Sequence, residues 1–241
     1  AIYQQLRQAG YTDDRIILIV EDDIADNVSN PNKGVIQVTI GGNNVYENVE
    51  IDYRMSSLKA KDILAILNGE KSESLPTVIE STENDNLFVF WSGHGVPGAM
   101  CWDEEPYAMT GDDLSTVFKD MNLKRRYRKL LMMVEACFSG GVMEQCEGIP
   151  GMLFITAANG DETSKADVFN GEMKVWMSNR FTSTFIEQIT DNKDVAMRDL
   201  YYRLFINTVG SHVMVYNAEN YGNLYSANMS EFINFKNDKS K

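Results

Sequence analysis

Long apolar runs, histidines and paired cysteines are scarce in this sequence of 241 residues. No stretch of about 18 consecutive apolar residues occurs, so the sequence predicts no membrane-spanning helix. The chain has two histidines and three cysteines, Cys101, Cys137 and Cys146, without the spacing of a metal-ligand motif. An odd number of cysteines without such spacing disfavours a disulfide framework and a zinc site. We therefore expect neither a metal nor another cofactor.

Basic residues are also few, since 22 Lys and Arg oppose 35 Asp and Glu for a formal net charge of -13. A chain of this charge repels a phosphate backbone, which argues against nucleic acid as the main partner. Linkers rich in Gly, Ser or Pro are missing as well, and 44% of the residues are hydrophobic. The sequence predicts one domain over residues 1–241 that can bury a sizeable core.

The chain does contain an unbroken apolar run, residues 130–134, that stops at Glu135, Ala136 and Cys137. Because it shows no polar alternation, the run predicts a strand covered on both faces, as in a parallel sheet flanked by helices. Ligands of such sheets bind at the carboxyl ends of the strands. Cys137 lies at that position, whereas a structural cysteine is more often found within the apolar run itself.

Other segments have the composition of strands in the same sheet, and they are Arg15–Val20, Leu87–Trp91, Met152–Thr156 and His212–Tyr216. Apolar residues at helical spacing predict helices between them. The predicted helices include one at residues 60–67 with Ser57 as N-cap and Gly69 as its end, one after a capping box at Thr110 and Asp113, one near 174–188 and one at 197–204. We predict an α/β fold with a mostly parallel central sheet and helices on both faces.

Three segments do not fit this alternation. Residues 26–56 carry turn residues between short β-rich pieces, which predicts an excursion with a small hairpin. Residues 217–241 are predicted to be a C-terminal extension. Residues 2–6, followed by Gly10, look like the last turns of an amphipathic helix that no strand precedes. Because an alternating sheet places a strand before such a helix, we expect the first strand to lie on another fragment.

Two of the predicted strands end in reactive side chains, one at Gly93-His94-Gly95 and the other at Cys137. A neighbouring imidazole lowers the pKa of a thiol and later protonates the leaving amine. The glycines permit a sharp turn that exposes amide groups, so the N–H groups of Gly95 and Cys137 are candidates for an oxyanion hole. Taken singly, either side chain is more often structural, but together they predict a thiol nucleophile with a histidine base.

Several segments occur in the order and with gaps compatible with one known family, and they are residues 20–25, 45–46, 52–53, 88–95, 133–140, 156–159 and 211–214. They resemble the legumain (asparaginyl endopeptidase) family of cysteine peptidases, from about residue 1 to about residue 217. That family includes the catalytic subunit of the glycosylphosphatidylinositol transamidase. It shares a caspase-like fold with caspases, gingipains and clostripain. The resemblance implies the same fold here.

The resemblance also implies roles for residues at matching positions. His94 would be the general base and acid, Cys137 the nucleophile that forms an acyl-enzyme, and Gly95 with Cys137 the oxyanion hole. Glu135 falls on an acidic position of the S1 pocket, which holds the P1 side chain before the scissile bond. Asn179 stands where legumain carries a second S1 acid. The substrate would lie along a loop that includes Ala157, Ala158, Asn159 and Ser164, in the extended mode that suits a peptidase.

Some functional alternatives stay open at this point. The family's first strand, with an Arg that completes S1, precedes residue 1, so the expected partners are a peptide substrate and an N-terminal fragment left by self-processing. Asn or Asp is the favoured P1 residue, and Lys or Arg is the alternative if no Arg balances Glu135. A transamidase or peptide ligase, or a non-catalytic peptide-binding homologue, would carry the same motifs. Only the resemblance suggests an exported or secreted protein.

Overall fold

A computed structural model describes residues 1–101, 108–191 and 194–235. Its centre is a four-stranded sheet with the strand order β11-β8-β7-β3. The strands β3 (Asn86–Ser92), β7 (Lys129–Glu135) and β8 (Met152–Thr156) are parallel. At one edge, β11 (Met214–Tyr216) pairs with β8 in the antiparallel direction. The predicted α/β class with a mostly parallel sheet is confirmed.

Helices cover both faces of this sheet. On one face lie α2 (Ala60–Asn68) and α3 (Gly111–Leu123), whose apolar stripes contribute to one hydrophobic cluster. On the other face lie α1 (Ile2–Gln8), α5 (Arg180–Asp191) and α6 (Met197–Asn207), which contribute to a second cluster. A sheet covered on both faces needs strands that are apolar on both faces, and this accounts for the unbroken apolar runs.

The strand β7 lies inside the sheet and joins the two clusters. Its residues Leu130, Met132 and Val134 point to the cluster of α2 and α3. Leu131 and Met133 point to the cluster of α5 and α6. All five are at most 1% exposed. Because burying one such side chain stabilises the fold by roughly 2 kcal/mol, β7 is a rigid base for the residues that follow it.

Local signals set the helix ends. The predicted capping box is present at the start of α3, where the Asp113 N–H donates to Thr110 Oγ1 (3.2 Å) and the Thr110 N–H donates to Asp113 Oδ2 (3.0 Å). At the end of α2, Gly69 has a φ of 69°, in the left-handed region that favours glycine. The N-cap of α2 is Lys59 rather than the predicted Ser57.

The predicted strand at Arg15–Val20 is mostly not a strand. Asp13–Arg15 forms a turn of 3-10 helix, and of this run only Ile19–Val20 form a strand, β1. It pairs in parallel with β2 (Tyr53–Arg54) in a separate two-stranded sheet. Among the described residues β1 pairs on one side only, and its ladder with β2 covers just these two residues of the apolar run.

Two further predictions of secondary structure were wrong. All of residues 26–56 are described; residues 26–52 contain turns and no strand, and β2 pairs with β1, so the predicted hairpin is not formed. The first part of the predicted helix at 174–188 is a strand, β10 (Val175–Asn179), which pairs with β9 (Ala166–Asn170) before α5 begins. The side-chain oxygen of Asn170 closes the connecting turn by accepting the N–H groups of Glu172 and Met173. Strand pairing thus outweighs the helical apolar pattern.

The remaining elements are short. A three-stranded sheet consists of β4 (Gly95–Val96), β5 (Ala99–Cys101) and β6 (Ala108–Thr110). The helix α4 (Ser139–Met143) follows β7, and α7 (Ala218–Tyr221) follows β11.

The C-terminal part packs against the domain. Phe232 and Ile233 are buried in the cluster of α5 and α6, so the predicted extension belongs to the core as far as the structure describes it. Residues 236–241 lie outside the described residues. Among the helices that the structure describes, none is long and apolar enough to cross a bilayer.

Candidate active site

The strands β3 and β7 end side by side and bring the two sequence motifs together. Ser92 pairs with Glu135 in the last rung of the parallel ladder, and the Gly93 N–H donates to the Glu135 carbonyl (3.1 Å). His94 and Cys137 each follow this rung by two residues. The carboxyl edge of the sheet therefore carries both the histidine and the thiol.

The backbone after β3 packs directly against the thiol turn. A Cβ atom on Gly95 would lie 2.1 Å from the Cys137 carbonyl oxygen, so no larger residue fits at this position. The hairpin of β4 and β5 fixes the other side, because the Cys101 N–H donates to the His94 carbonyl (3.0 Å). His94 is thus anchored through its backbone between β3 and this hairpin.

The turn after β7 presents Cys137 as a half-buried free thiol. The next residue, Phe138, has a φ of 56° and donates its N–H to the Glu162 carbonyl (2.8 Å). The Gly140 N–H donates to the Ala158 carbonyl (3.1 Å). A left-handed residue costs conformational energy unless its surroundings hold it, and here the loop after β8 holds it.

Glu135 lies two residues before the thiol and is only 1% exposed. The N–H and hydroxyl of Thr182, the third residue of α5, donate to Glu135 Oε2 at 2.9 and 3.0 Å. Oε1 has no hydrogen-bond partner of good geometry among the described residues. Burial raises the pKa of Glu135 to about 7, while the contacts with Thr182 and Ser164 act in the opposite direction.

The loop after β8 begins with two buried residues that were predicted to line the substrate. Ala157 and Ala158 are both 0% exposed. The Ala157 carbonyl accepts a hydrogen bond from Ser211 Oγ (2.7 Å), and the Ala158 carbonyl accepts one from Thr156 Oγ1 (2.9 Å). Both carbonyls therefore already serve the internal packing of the site.

The other predicted substrate residues are half-buried. Ser164 Oγ lies 3.9 Å from Cys137 Sγ, and Asn159 turns the loop by accepting the Asp161 N–H at its side-chain oxygen (2.8 Å). Asn179 lies at the end of β10, directly before the helix that holds Glu135. The next residue, Arg180, is ion-paired at 3.5 Å with Asp167 of the neighbouring strand.

Sequence reasoning missed two residues that shape this site, Thr182 and Glu162. Thr182 lies in a segment that was predicted only as part of a helix, and Glu162 in a loop without a motif of its own. His212 is 67% exposed at its side chain and places Nδ1 2.9 Å from Glu162 Oε2. Among the described residues, no group of His, Cys, Asp and Glu could hold a metal ion.

The sequence matches the model of the peptidase C13 family over residues 1–232. It is similar to legumain of Rattus norvegicus, with 29% identity over 221 residues that cover 89% of this chain and 50% of that protein. It is also similar to the vacuolar-processing enzyme of Vicia sativa, with 36% identity over 168 residues that cover 67% of this chain and 34% of that protein. The chain spans about half the length of the legumain it matches, and about a third of the length of the plant enzyme.

Among solved structures, caspase-1 from Spodoptera frugiperda is similar, with a TM-score of 0.52. The similarity covers 89% of this chain and 88% of that chain, at 12% sequence identity. At this identity the similarity shows a common caspase-like fold and nothing about the chemistry.

Proposed function

Because the chain belongs to the peptidase C13 family, we propose that it is a cysteine endopeptidase with Cys137 as nucleophile and His94 as general base and acid. The observation that carries this proposal is the register of β3 and β7, which ends both strands at one edge with Gly95 against the Cys137 carbonyl. A thiol and an imidazole on adjacent strand ends are the parts that nucleophilic catalysis requires.

The reaction follows from these parts. His94 takes the thiol proton, and the Cys137 sulfur attacks the carbonyl carbon of the scissile peptide bond. The N–H groups of Gly95 and Cys137 stabilise the resulting oxyanion. Its collapse breaks the C–N bond, and His94 gives its proton to the leaving amine. A water molecule, deprotonated by His94, then hydrolyses the thioester and restores the thiol.

Replacing the nucleophile tests this assignment. Cys137→Ala should abolish hydrolysis of every peptide that the wild-type protein cleaves, because no acyl-enzyme can form. Cys146→Ala is the matched control, since burial raises the pKa of that thiol to about 12 and makes it inert. Peptide cleavage followed by mass spectrometry is the measurement. Full activity of Cys137→Ala would reject the proposal.

We further propose that the P1 residue is Asn, held by Glu135. A buried carboxyl with a pKa of about 7 is largely uncharged under mildly acidic conditions, and its free Oε1 can pair with the neutral carboxamide of Asn. A lysine or arginine would require an ionised partner in the same position. Arg180, which follows the predicted S1 residue Asn179, is already paired with Asp167.

A P1 scan at two pH values tests this preference. Peptides that differ only in Asn, Asp, Lys or Arg at P1 should be cleaved most efficiently with Asn at pH 5.5. Raising the pH to 8 should improve the relative cleavage after Lys and Arg, because Glu135 then ionises. Higher kcat/KM values for Lys than for Asn at both pH values would instead support the basic alternative.

We also propose a partner for the free edge of the central sheet. The edge of β3 away from β7 faces no strand among the residues that the structure describes. It borders a slot of about 580 Å³ whose lining includes Ile17, Ile19, Leu87, Phe88 and Phe90. Residues 86–91 of β3 are half-buried, although their composition is that of a strand covered on both sides.

The opposite wall of the slot is a second strand edge. The backbone of Leu18 bonds to Asp52 and Tyr53 on one side, so the backbone groups of Ile17 and Ile19, which alternate with it, point to the slot. One extended segment between the two walls would pair with both. We propose that it is an apolar strand from outside residues 1–241, since both faces of the slot border hydrophobic clusters.

A further inference from the structure

One residue, Glu162, ties together three segments around the thiol turn, two through its carboxylate and one through its main-chain carbonyl. Glu162 lies in the loop after β8, and its main-chain carbonyl accepts the Phe138 N–H (2.8 Å). Its Oε1 accepts the Asn159 N–H (3.1 Å) and the His212 N–H (2.6 Å), and its Oε2 lies 2.9 Å from His212 Nδ1. We call this arrangement the Glu162 clasp. No step of the proposed reaction uses it.

The charge of Glu162 suits this role. Partial burial raises the pKa of Glu162, but the hydrogen bonds from His212 and from the Asn159 N–H outweigh this effect and hold the pKa below its ordinary value. The side chain is therefore an ionised acceptor. Hydrogen bonds to a carboxylate are roughly twice as strong as those between neutral groups. A Gln side chain at this position would keep the shape and lose that strength.

The clasp fixes the loop at the point where it meets the nucleophile. Glu162 bonds to Phe138, and two residues later Ser164 Oγ lies 3.9 Å from Cys137 Sγ. The thiol turn therefore contacts the loop at two adjacent points, Phe138 with Glu162 and Cys137 with Ser164. This register places Ser164 against the thiol, and Ser164 also contacts Glu135.

We propose that Glu162, held by His212, is a positioning residue that sets the geometry of the Cys137 turn against the substrate loop. This inference rests on the proposed peptidase function, in which an error of about 1 Å at the reacting atoms can lower the rate on the order of 100-fold. Glu162 itself touches no reacting atom. It acts through Phe138 on one side and through Ser164 on the other.

The test compares Glu162→Ala and Glu162→Gln with wild type. Glu172→Gln is the matched control, because that carboxylate is exposed in the turn between β9 and β10 and belongs to no part of the site. We expect Glu162→Ala to lower kcat about tenfold or more with little change in KM, and Glu162→Gln to restore part of the loss. Hydrogen exchange of fragments covering Phe138 should become faster in both variants, whereas the control should match wild type.

The outcomes test the clasp, the positioning role and the proposed function separately. Unchanged exchange at Phe138 in Glu162→Ala would overturn the clasp, and faster exchange with a kcat within twofold of the control would overturn the positioning role. If Glu162→Ala does not fold, the same two criteria apply to Glu162→Gln. A wild-type protein that cleaves no peptide would reject the proposed function, while the exchange data would still report on the clasp.

Discussion

At the scale of single residues, Glu135 is a carboxyl whose pKa is strongly raised by its burial in the fold. It is buried beside the thiol, accepts the N–H and hydroxyl of Thr182 at Oε2, and also contacts Ser164. Its folded pKa is raised from 4.5 to about 7. A residue kept in this state costs stability at neutral pH, which is typical of groups that serve a binding site rather than the fold.

This burial predicts a pH dependence that a single substitution removes. Below pH 4.5 both states of Glu135 bind a proton, and as the pH rises to about 7 the unfolded state ionises first, so folding loses stability. The loss is complete above the folded pKa and amounts to about 3 kcal/mol. Urea unfolding at pH 4 and pH 8 should therefore show Glu135→Gln gaining about this much relative to wild type. An equal stability difference at both pH values would contradict this.

Gly95 predicts a second effect at this scale. A methyl group on residue 95 would collide with the Cys137 carbonyl oxygen, 2.1 Å away in backbone that cannot rotate aside. Gly95→Ala should displace the thiol turn and lower kcat/KM about 100-fold or more. Gly171→Ala, in the open turn between β9 and β10, should have no effect on peptide cleavage. Wild-type kcat/KM in Gly95→Ala would show that residue 95 does not confine the thiol.

The sequence points to some residues of the candidate site and not to others. His94, Cys137 and Glu135 could be found because each follows or ends an apolar strand and belongs to a recognisable motif. Glu162 could not, because its hydrogen bonds reach His212, 50 positions away. Thr182 could not either, because its bond to Glu135 spans 47 positions. Such contacts depend on tertiary packing, which no local pattern carries.

At the scale of elements, the strongest local signals concern helix ends. The capping box of α3 satisfies two backbone N–H groups that would otherwise lack partners, those of Thr110 and Asp113. Thr110→Ala should destabilise the protein by about 1 kcal/mol. Thr116→Ala, on the exposed side of the same helix, is the matched control and should not destabilise. Thermal unfolding of the two variants measures the difference, and equal melting temperatures would count against the cap.

Strands were predicted less well than helices, for reasons that lie outside each strand. The run Arg15–Val20 has the composition of a buried strand, but only Ile19–Val20 finds a pairing partner among the described residues. Val175–Asn179 shares a helical apolar pattern with α5, but pairs with Ala166–Asn170. A strand exists only where a second strand lies beside it, whereas a helix closes its own hydrogen bonds. Composition alone therefore predicts helices more safely.

At the scale of the whole molecule, the central sheet is asymmetric. One edge is β11, and the other is β3, which is apolar on both faces but half-buried. Natural proteins protect apolar edges of this kind by pairing or covering them. His94 follows β3 by two residues, so the edge that faces no strand in the described part of the chain leads into the candidate active site.

The slot proposal therefore predicts binding of a particular kind of peptide. A synthetic peptide of seven consecutive apolar, mostly β-branched residues with lysine tails should raise the melting temperature and slow hydrogen exchange of fragments covering residues 86–92. At a concentration 100 times Kd the stabilisation would be about 2.7 kcal/mol. In the control peptide every second apolar residue is replaced with Ser, which makes one face of the strand polar. Such a strand should not insert, because both faces of an inserted strand are buried against hydrophobic clusters.

The two peptides distinguish strand insertion from general adhesion to apolar surface. Insertion requires apolar residues on both faces, since Leu87 borders the cluster of α2 and α3 while Phe88 borders the cluster of α5 and α6. Equal protection by both peptides would indicate adhesion, and protection by neither would reject the slot as a strand site. Ile17→Asp places a charge on the opposite wall and should abolish the protection. Because these readouts do not depend on catalysis, they test the partner separately from the peptidase function.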